Sequence, residues 1–328
     1  MRFALLGGGS WGTALAGHLA RLGHGVRLWV REASVALEIN QRHRNQLYLP
    51  GVDLPETIEA GTDLTHAVLD AEAILVAIPS QFCRDVYRSL GGAVPSGAVL
   101  ASATKGIETD SLLRMTQVAE SQLPGRRLAV LSGPSFALEV AREQPTAVVI
   151  ASRDKLVAES LQRALSSHTF RVYTSDDVVG VELAGAVKNV IAIAAGIVDG
   201  LGYGHNTAAA LITRGLAELS RLVVAEGGHA DTAAGLAGLG DLVLTCTGAL
   251  SRNRRVGQVL GRGGSLAEAT ADSTMVAEGV RTTLAACALA ERAGVEMPIA
   301  RQMKKVLYEG KPPREAVAEL MLRSLKRE

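Results

Sequence analysis

Short apolar runs and helical patterns alternate through the first half of the chain. Phe3-Ala4-Leu5-Leu6 ends in Gly7-Gly8-Gly9, and a pattern of small and apolar residues follows over 12–22. Apolar strands are predicted at 26–30, 73–78, 99–103, 128–131, 148–151 and 171–174. The run at 73–78 is unbroken, as in parallel sheets covered on both faces. Residues 40–56, with Tyr48-Leu49-Pro50-Gly51 and Leu54-Pro55, read as irregular and turn-rich. Beyond about residue 178 the strand pattern stops. Helices are predicted at 178–201, 206–226, 252–261, 279–293, 298–308 and 313–325. Pro298 and Pro313 suit a first helical turn, where the missing N–H costs nothing.

The junction of the first strand and helix carries a specific motif. Gly7, Gly9 and Gly12 match the G-x-G-x-x-G spacing of a dinucleotide-binding βαβ unit. Gly7 permits the tight turn, Gly9 lets backbone approach a pyrophosphate, and Gly12 allows close helix–strand packing. The fold class is therefore α/β. A Rossmann-type dinucleotide-binding domain over 1–178 precedes an all-α C-terminal domain over 179–328. The second strand runs into Val30-Arg31-Glu32, where the ribose of a dinucleotide is read. Arg31 suits the 2′-phosphate of NADP and Glu32 the 2′-hydroxyl of NAD; Arg31 also reads as a solvated surface charge.

Composition narrows the alternatives. The 328 residues allow one to three domains, and 48% hydrophobic with 20% charged residues is a globular profile. A net charge of +1 gives no global field for nucleic acid. Cys83, Cys246 and Cys287 are scattered, which indicates neither a disulfide framework nor a metal knuckle. No His/Cys/Asp/Glu grouping has metal-ligand spacing, so no metal is expected. The chain opens on its first strand rather than a leader pattern, and a cytoplasmic location is expected. Residues 181–201 are apolar over nearly a membrane span, but Glu182, Lys188, Asn189 and Asp199 favour a buried core helix.

Lys188 stands out in that helix. Ala184, Gly185, Ala192 and Ala195 share its face, which leaves space around an ammonium. Such a lysine needs a partner or a ligand, and burial lowers its pKa towards the range of a proton donor. The alternative is a lysine that snorkels to the surface. Farther on, Ser251 is placed to cap a helix with Arg252 and Asn253 in its first turn. A cation there opposes the helix dipole unless an anion binds, the alternative being a solvated basic face. Asp241 reads either as a partner that orients Lys188 or as a helix cap.

Several segments together resemble the bacterial NAD(P)-dependent glycerol-3-phosphate dehydrogenases. They are the stretches at 7–14, 48–51, 102–108, 132–137, 186–190, 238–242, 251–254 and 276–279, in that order. The resemblance implies reversible reduction of dihydroxyacetone phosphate to sn-glycerol 3-phosphate with NADPH or NADH, feeding phospholipid synthesis. It makes Lys188 the general acid/base and puts Lys105 between nicotinamide and substrate. It gives Gly133, Ser135, Asp241, Ser251, Arg252 and Asn253 to the substrate. It gives Ser10, Trp11, Arg31, Ala137, Arg252, Val276 and Glu278 to the cofactor. The expected partner is a small molecule, with no nucleic acid and no membrane span; a homodimer is left open. Two rival readings are another two-domain hydroxyacid or ketopantoate dehydrogenase, and a non-enzymatic NADP sensor.

Overall fold

The computed structural model describes residues 1–271 and 277–324. Among the described residues ten strands form in chain order: β1 (Arg2–Leu6), β2 (Gly25–Trp29), β3 (Arg44–Asn45), β4 (Leu49–Asp53), β5 (Ile58–Gly61), β6 (Ala73–Val76), β7 (Val99–Ser102), β8 (Arg127–Ser132), β9 (Thr146–Ala151) and β10 (Phe170–Ser175). Eight of them make one sheet in the order β10-β9-β8-β7-β6-β1-β2-β5. The six from β5 to β8 pair in parallel; β9 joins β8 antiparallel, and β10 runs parallel to β9. The chain leaves β1 towards β2 and β5, then returns to place β6 on the other side of β1. Such a reversal opens a crevice at the carboxyl ends of the two central strands.

Residues 40–56 are more ordered than their turn-rich composition predicts. β3 and β4 pair antiparallel as a small hairpin. Asn45 fixes it to the glycine turn: its Nδ2 donates to Gly8 O at 2.9 Å and to Thr13 Oγ1 at 2.8 Å. β5 is likewise a strand that its own residues, short and without an apolar run, do not announce.

Helices cover both sheet faces, as the apolar runs require. Among the described residues after β10, everything regular is helical. The helix Val178–Gly200 is the centre of that half; only Val179, Asp199 and Gly200 escape full burial. Its length and mean hydropathy of 1.7 would let it cross a membrane, but its most apolar window is wholly covered by protein. Each fully buried Val, Leu or Ile on it contributes about 1.5–3 kcal/mol. The helix Arg252–Gly261 crosses it at backbone distance. A Cβ on Gly261 would lie 2.5 Å from Ile197 O, and one on Gly200 would lie 3.0 Å from Gly261 Cα. Glycine on both sides thus brings Arg252 and Asn253 against the core helix.

The proline-initiated helices are Pro298–Tyr308 and Pro313–Met321, each with proline in its first turn. The second ends short of the expected 325, a position outside the described residues.

Candidate active site

The glycine turn has the mechanics its spacing predicts. Gly7 sits at φ +122°, and a Cβ there would lie 2.5 Å from Ala77 O. A Cβ on Gly12 would strike the Gly7 carbonyl, whereas one on Gly9 would meet nothing within 4 Å. Gly9 therefore leaves open space in front of the helix Ser10–Arg21, whose N-cap, Gly9, makes no side-chain capping bond. The Trp11 Nε1 beside it is buried and finds no hydrogen-bond partner among the described residues. An open cradle, a helix N-terminus and an orphaned donor fit a dinucleotide pyrophosphate.

The chemistry gathers around one carboxylate. Asp241 is 1% exposed and begins the helix Asp241–Thr247. Its Oδ1 accepts from Lys188 Nζ at 2.5 Å, and its Oδ2 accepts from Lys105 Nζ at 2.7 Å. Lys105 lies just beyond β7, Lys188 in the middle of the core helix, so the carboxylate joins the two halves of the chain. Lys188 is 5% exposed, so it does not snorkel. Asp241 is its partner and not a helix cap: Gly240 holds the N-cap position, and the Asp241 carboxylate oxygens accept from the two lysines.

Thr245 completes the group. Lys188 Nζ donates to Thr245 Oγ1 at 2.7 Å, and that hydroxyl donates to Asp241 O at 2.6 Å. Sequence reasoning gave Thr245 no role. Its signal is the four-residue spacing from Asp241, which sets both on one helical face. Lys105 also donates to Gly133 O at 2.9 Å, as does Ser135 Oγ at 2.9 Å. Gly133 adopts φ +134°, and a Cβ there would lie 2.9 Å from Val148 Cα. Each lysine thus spends two of its three N–H donors on the described residues and keeps one for a ligand.

Burial pushes the Lys188 ammonium down, Asp241 opposes this, and Lys105 adds to it; the result is about 8. Burial alone would raise the Asp241 carboxyl, but the charges of Lys105 and Lys188 outweigh it and hold it below the usual carboxylate range. The aspartate therefore stays ionised while Lys188 exchanges a proton near neutral pH.

The remaining predicted residues fall around this centre. Ser251 caps its helix by accepting from Arg254 N at 3.2 Å. Arg252 is exposed, and its Nη2 donates to Ser10 Oγ at 2.9 Å, which brings it to the glycine turn. Asn253 donates to Asn189 Oδ1 at 2.9 Å and accepts from Gly279 N at 3.0 Å, tying three helices together. Glu278 accepts from Ser80 N at 3.0 Å and Ser80 Oγ at 2.7 Å, at the end of β6. Burial raises the Glu278 carboxyl against the pull of those two bonds. Ala137 opens the helix Ala137–Ala141, half-buried against the core under the sheet. Arg31 lies apart from the lysines, beyond β2, and pairs with Glu32. Val276 lies outside the described residues. Among the described residues, no three His, Cys, Asp or Glu side chains group so as to hold a metal.

Known proteins resemble this chain along nearly its whole length. Residues 2–158 match the model of the N-terminus of NAD-dependent glycerol-3-phosphate dehydrogenase, and residues 177–318 match that of its C-terminus. A glycerol-3-phosphate dehydrogenase (NAD(P)+) of Geobacter sp. (strain M21) is 53% identical over 330 residues, covering 100% of this chain and 98% of that one. The crystal structure of glycerol-3-phosphate dehydrogenase from Coxiella burnetii superposes with a TM-score of 0.95 at 44% identity, covering 98% of this chain and 99% of that one. The Saccharomyces cerevisiae enzyme follows at TM-score 0.84 and 28% identity, covering 98% and 99%. The ketopantoate reductase of Ralstonia eutropha JMP134, at 18% identity and TM-score 0.64, shares the fold alone. The chain belongs to the NAD-dependent glycerol-3-phosphate dehydrogenase family.

Proposed function

We propose that Lys188 is the general acid/base of a reversible reduction of dihydroxyacetone phosphate to sn-glycerol 3-phosphate. The enzyme is an NAD(P)-dependent glycerol-3-phosphate dehydrogenase, and its product is the backbone precursor of phospholipids. When bound, NAD(P)H supplies the hydride. Lys188 gives its proton to the substrate carbonyl oxygen as negative charge grows there, and takes one back in the reverse direction. Lys105 offers its remaining N–H to the same developing charge. Asp241 keeps both lysines in place and Lys188 protonated at neutral pH, and Thr245 fixes the Lys188 rotamer.

Arg252 binds the substrate phosphate, with Ser251 and Asn253 holding the start of its helix. A guanidinium suits a phosphate because its planar fork makes two parallel bonds. Binding energy collected at the phosphate, away from the reacting carbon, then supports orientation of the carbonyl. Gly133 and Ser135 shape the loop beside Lys105. Gly7, Gly9, Ser10, Trp11 and Gly12 hold the pyrophosphate, Arg31 the adenosine ribose, and Ala137, Val276 and Glu278 the rest of the cofactor. We place the domain boundary at 178/179, ahead of the core helix, and the enzyme in the cytoplasm.

The observation that carries this reading is the sharing of Asp241 by two lysines from opposite halves of the chain. A spectrophotometric assay tests it: NADPH or NADH oxidation with dihydroxyacetone phosphate, beside a panel of 2-oxo acids and ketopantoate. Rapid oxidation with the phosphorylated triose alone is expected. Turnover of an oxo acid in its place would move the protein to the rival dehydrogenase class, and no turnover at all to a sensor.

A further inference from the structure

The crevice ends, beyond β2, in a cluster that reaches past Arg31 to two side chains without a role so far, Glu32 and Tyr48. Arg31 Nη2 and Nε lie 2.6 Å and 2.9 Å from one oxygen, Oε1 of Glu32. Tyr48 OH donates to that same oxygen at 3.2 Å. Glu32 precedes the helix Ala33–Arg42, yet its side chain makes no capping bond there. Its carboxylate is therefore committed to Arg31 and Tyr48 instead.

Tyr48 is held rigidly on the hairpin. Its N–H donates to Asn45 Oδ1 at 3.1 Å, and Asn45 is itself fixed to the glycine turn. Its carbonyl accepts from Ser10 Oγ at 2.5 Å. One residue thus touches the phosphate end of the crevice through its backbone and the ribose end through its phenol. Burial, and next the charge of Glu32, push the phenol pKa up, so it stays a donor.

We propose that Tyr48 tunes the discrimination between NADH and NADPH by tethering the Glu32 carboxylate against Arg31. This rests on the reading that the adenosine ribose lies beyond β2. A 2′-phosphate carries about −1.5 to −2 charge and seeks the Arg31 guanidinium. It meets a carboxylate already bound there and held from moving away. A 2′-hydroxyl is neutral and can donate to the same carboxylate. The tether thus disfavours NADPH and favours NADH, which moderates the preference that Arg31 alone would impose.

The test uses the intact enzyme and calorimetric titration with adenosine 2′,5′-bisphosphate and with AMP, which differ in the 2′-phosphate. The kcat/KM values for NADPH and NADH are measured alongside. Glu32→Gln should raise the bisphosphate-to-AMP affinity ratio about tenfold, since it removes a like charge next to the phosphate. Tyr48→Phe, which keeps the ring and its packing, should raise it about threefold. Arg31→Ala should lower it. If Arg31→Ala lowers the ratio while Glu32→Gln and Tyr48→Phe leave it within twofold, the tether is overturned and the ribose site stands. If Arg31→Ala affects neither nucleotide, the ribose site itself is misplaced and the proposal falls with it. Equal losses for both nucleotides in Tyr48→Phe would mark Tyr48 as structural and overturn its part.

Discussion

Lys188 Nζ and Asp241 Oδ1 lie 2.5 Å apart in the interior, although 53 residues separate them in the chain. In the proposed reaction this pair sets the working pH. Burial depresses Lys188 to about 8 and Asp241 keeps it from falling further. In that proposal the protonated form is the donor in ketone reduction. The kcat/KM for dihydroxyacetone phosphate should therefore fall as pH rises through about 8, and oxidation of glycerol 3-phosphate should gain over the same interval. Asp241→Asn removes the opposing charge and leaves two cations facing each other. The alkaline limb should move to lower pH, and kcat should drop by at least about 100-fold. A pH profile unchanged in position would show that another group titrates.

Arg252 connects the helical half to the glycine turn through Ser10. A charge-assisted hydrogen bond contributes about 1.5–3 kcal/mol, and a bidentate one lies at or above the top of that range. Arg252→Ala should lower kcat/KM for dihydroxyacetone phosphate by at least about 100-fold. Unphosphorylated dihydroxyacetone, a poor substrate from the start, should hardly respond. Arg252→Lys should rescue only in part, because an ammonium lacks the planar fork. Equal losses on both ketones, with cofactor affinity measured separately, would remove the phosphate from Arg252.

Glu218 carries a stability prediction away from the site. It is 2% exposed and accepts from Ile299 N at 2.7 Å and Ala300 N at 3.3 Å, at the start of the helix Pro298–Tyr308. Burial raises its carboxyl from 4.5 to about 7, against those two bonds. The folded state therefore holds this proton more tightly than the unfolded chain. The resulting stability is present below pH 4.5 and is lost as pH rises through about 7. Its size is about 3 kcal/mol at 1.36 kcal/mol per unit. Urea midpoints at pH 5 and pH 8 should differ more in wild type than in Glu218→Gln. The same difference in both proteins would contradict the shift.

Much of this architecture is legible in the chain. Gly7, Gly9 and Gly12 act through backbone geometry, which spacing encodes directly. Lys188 announces itself because small residues at helical spacing leave a cation room but no partner. Ser251 and the two helix-starting prolines follow from local capping rules. The hairpin of β3 and β4, and strand β5, were missed because nothing in their own residues forms an apolar run. The hairpin is held by Asn45 against the glycine turn, and β5 by pairing with β2. On their own, Thr245, Ser80 and Tyr48 carry no signal in the sequence because their meaning depends on partners from other elements. An isolated hydroxyl reads as a solvated group until the fold brings a lysine or a carboxylate to it.

The central claim is that Lys188 supplies the proton, and Lys188→Ala tests it most directly. Pre-steady-state turnover of dihydroxyacetone phosphate should be measured with saturating NADPH, beside the dissociation constant for NADPH from fluorescence titration. Turnover should fall by roughly 10²–10⁴-fold, the usual contribution of a positioned acid/base. Cofactor affinity should change little, since the lysine spends its bonds on Asp241 and Thr245. Near-normal turnover in this variant would contradict the account and move the proton donor to Lys105.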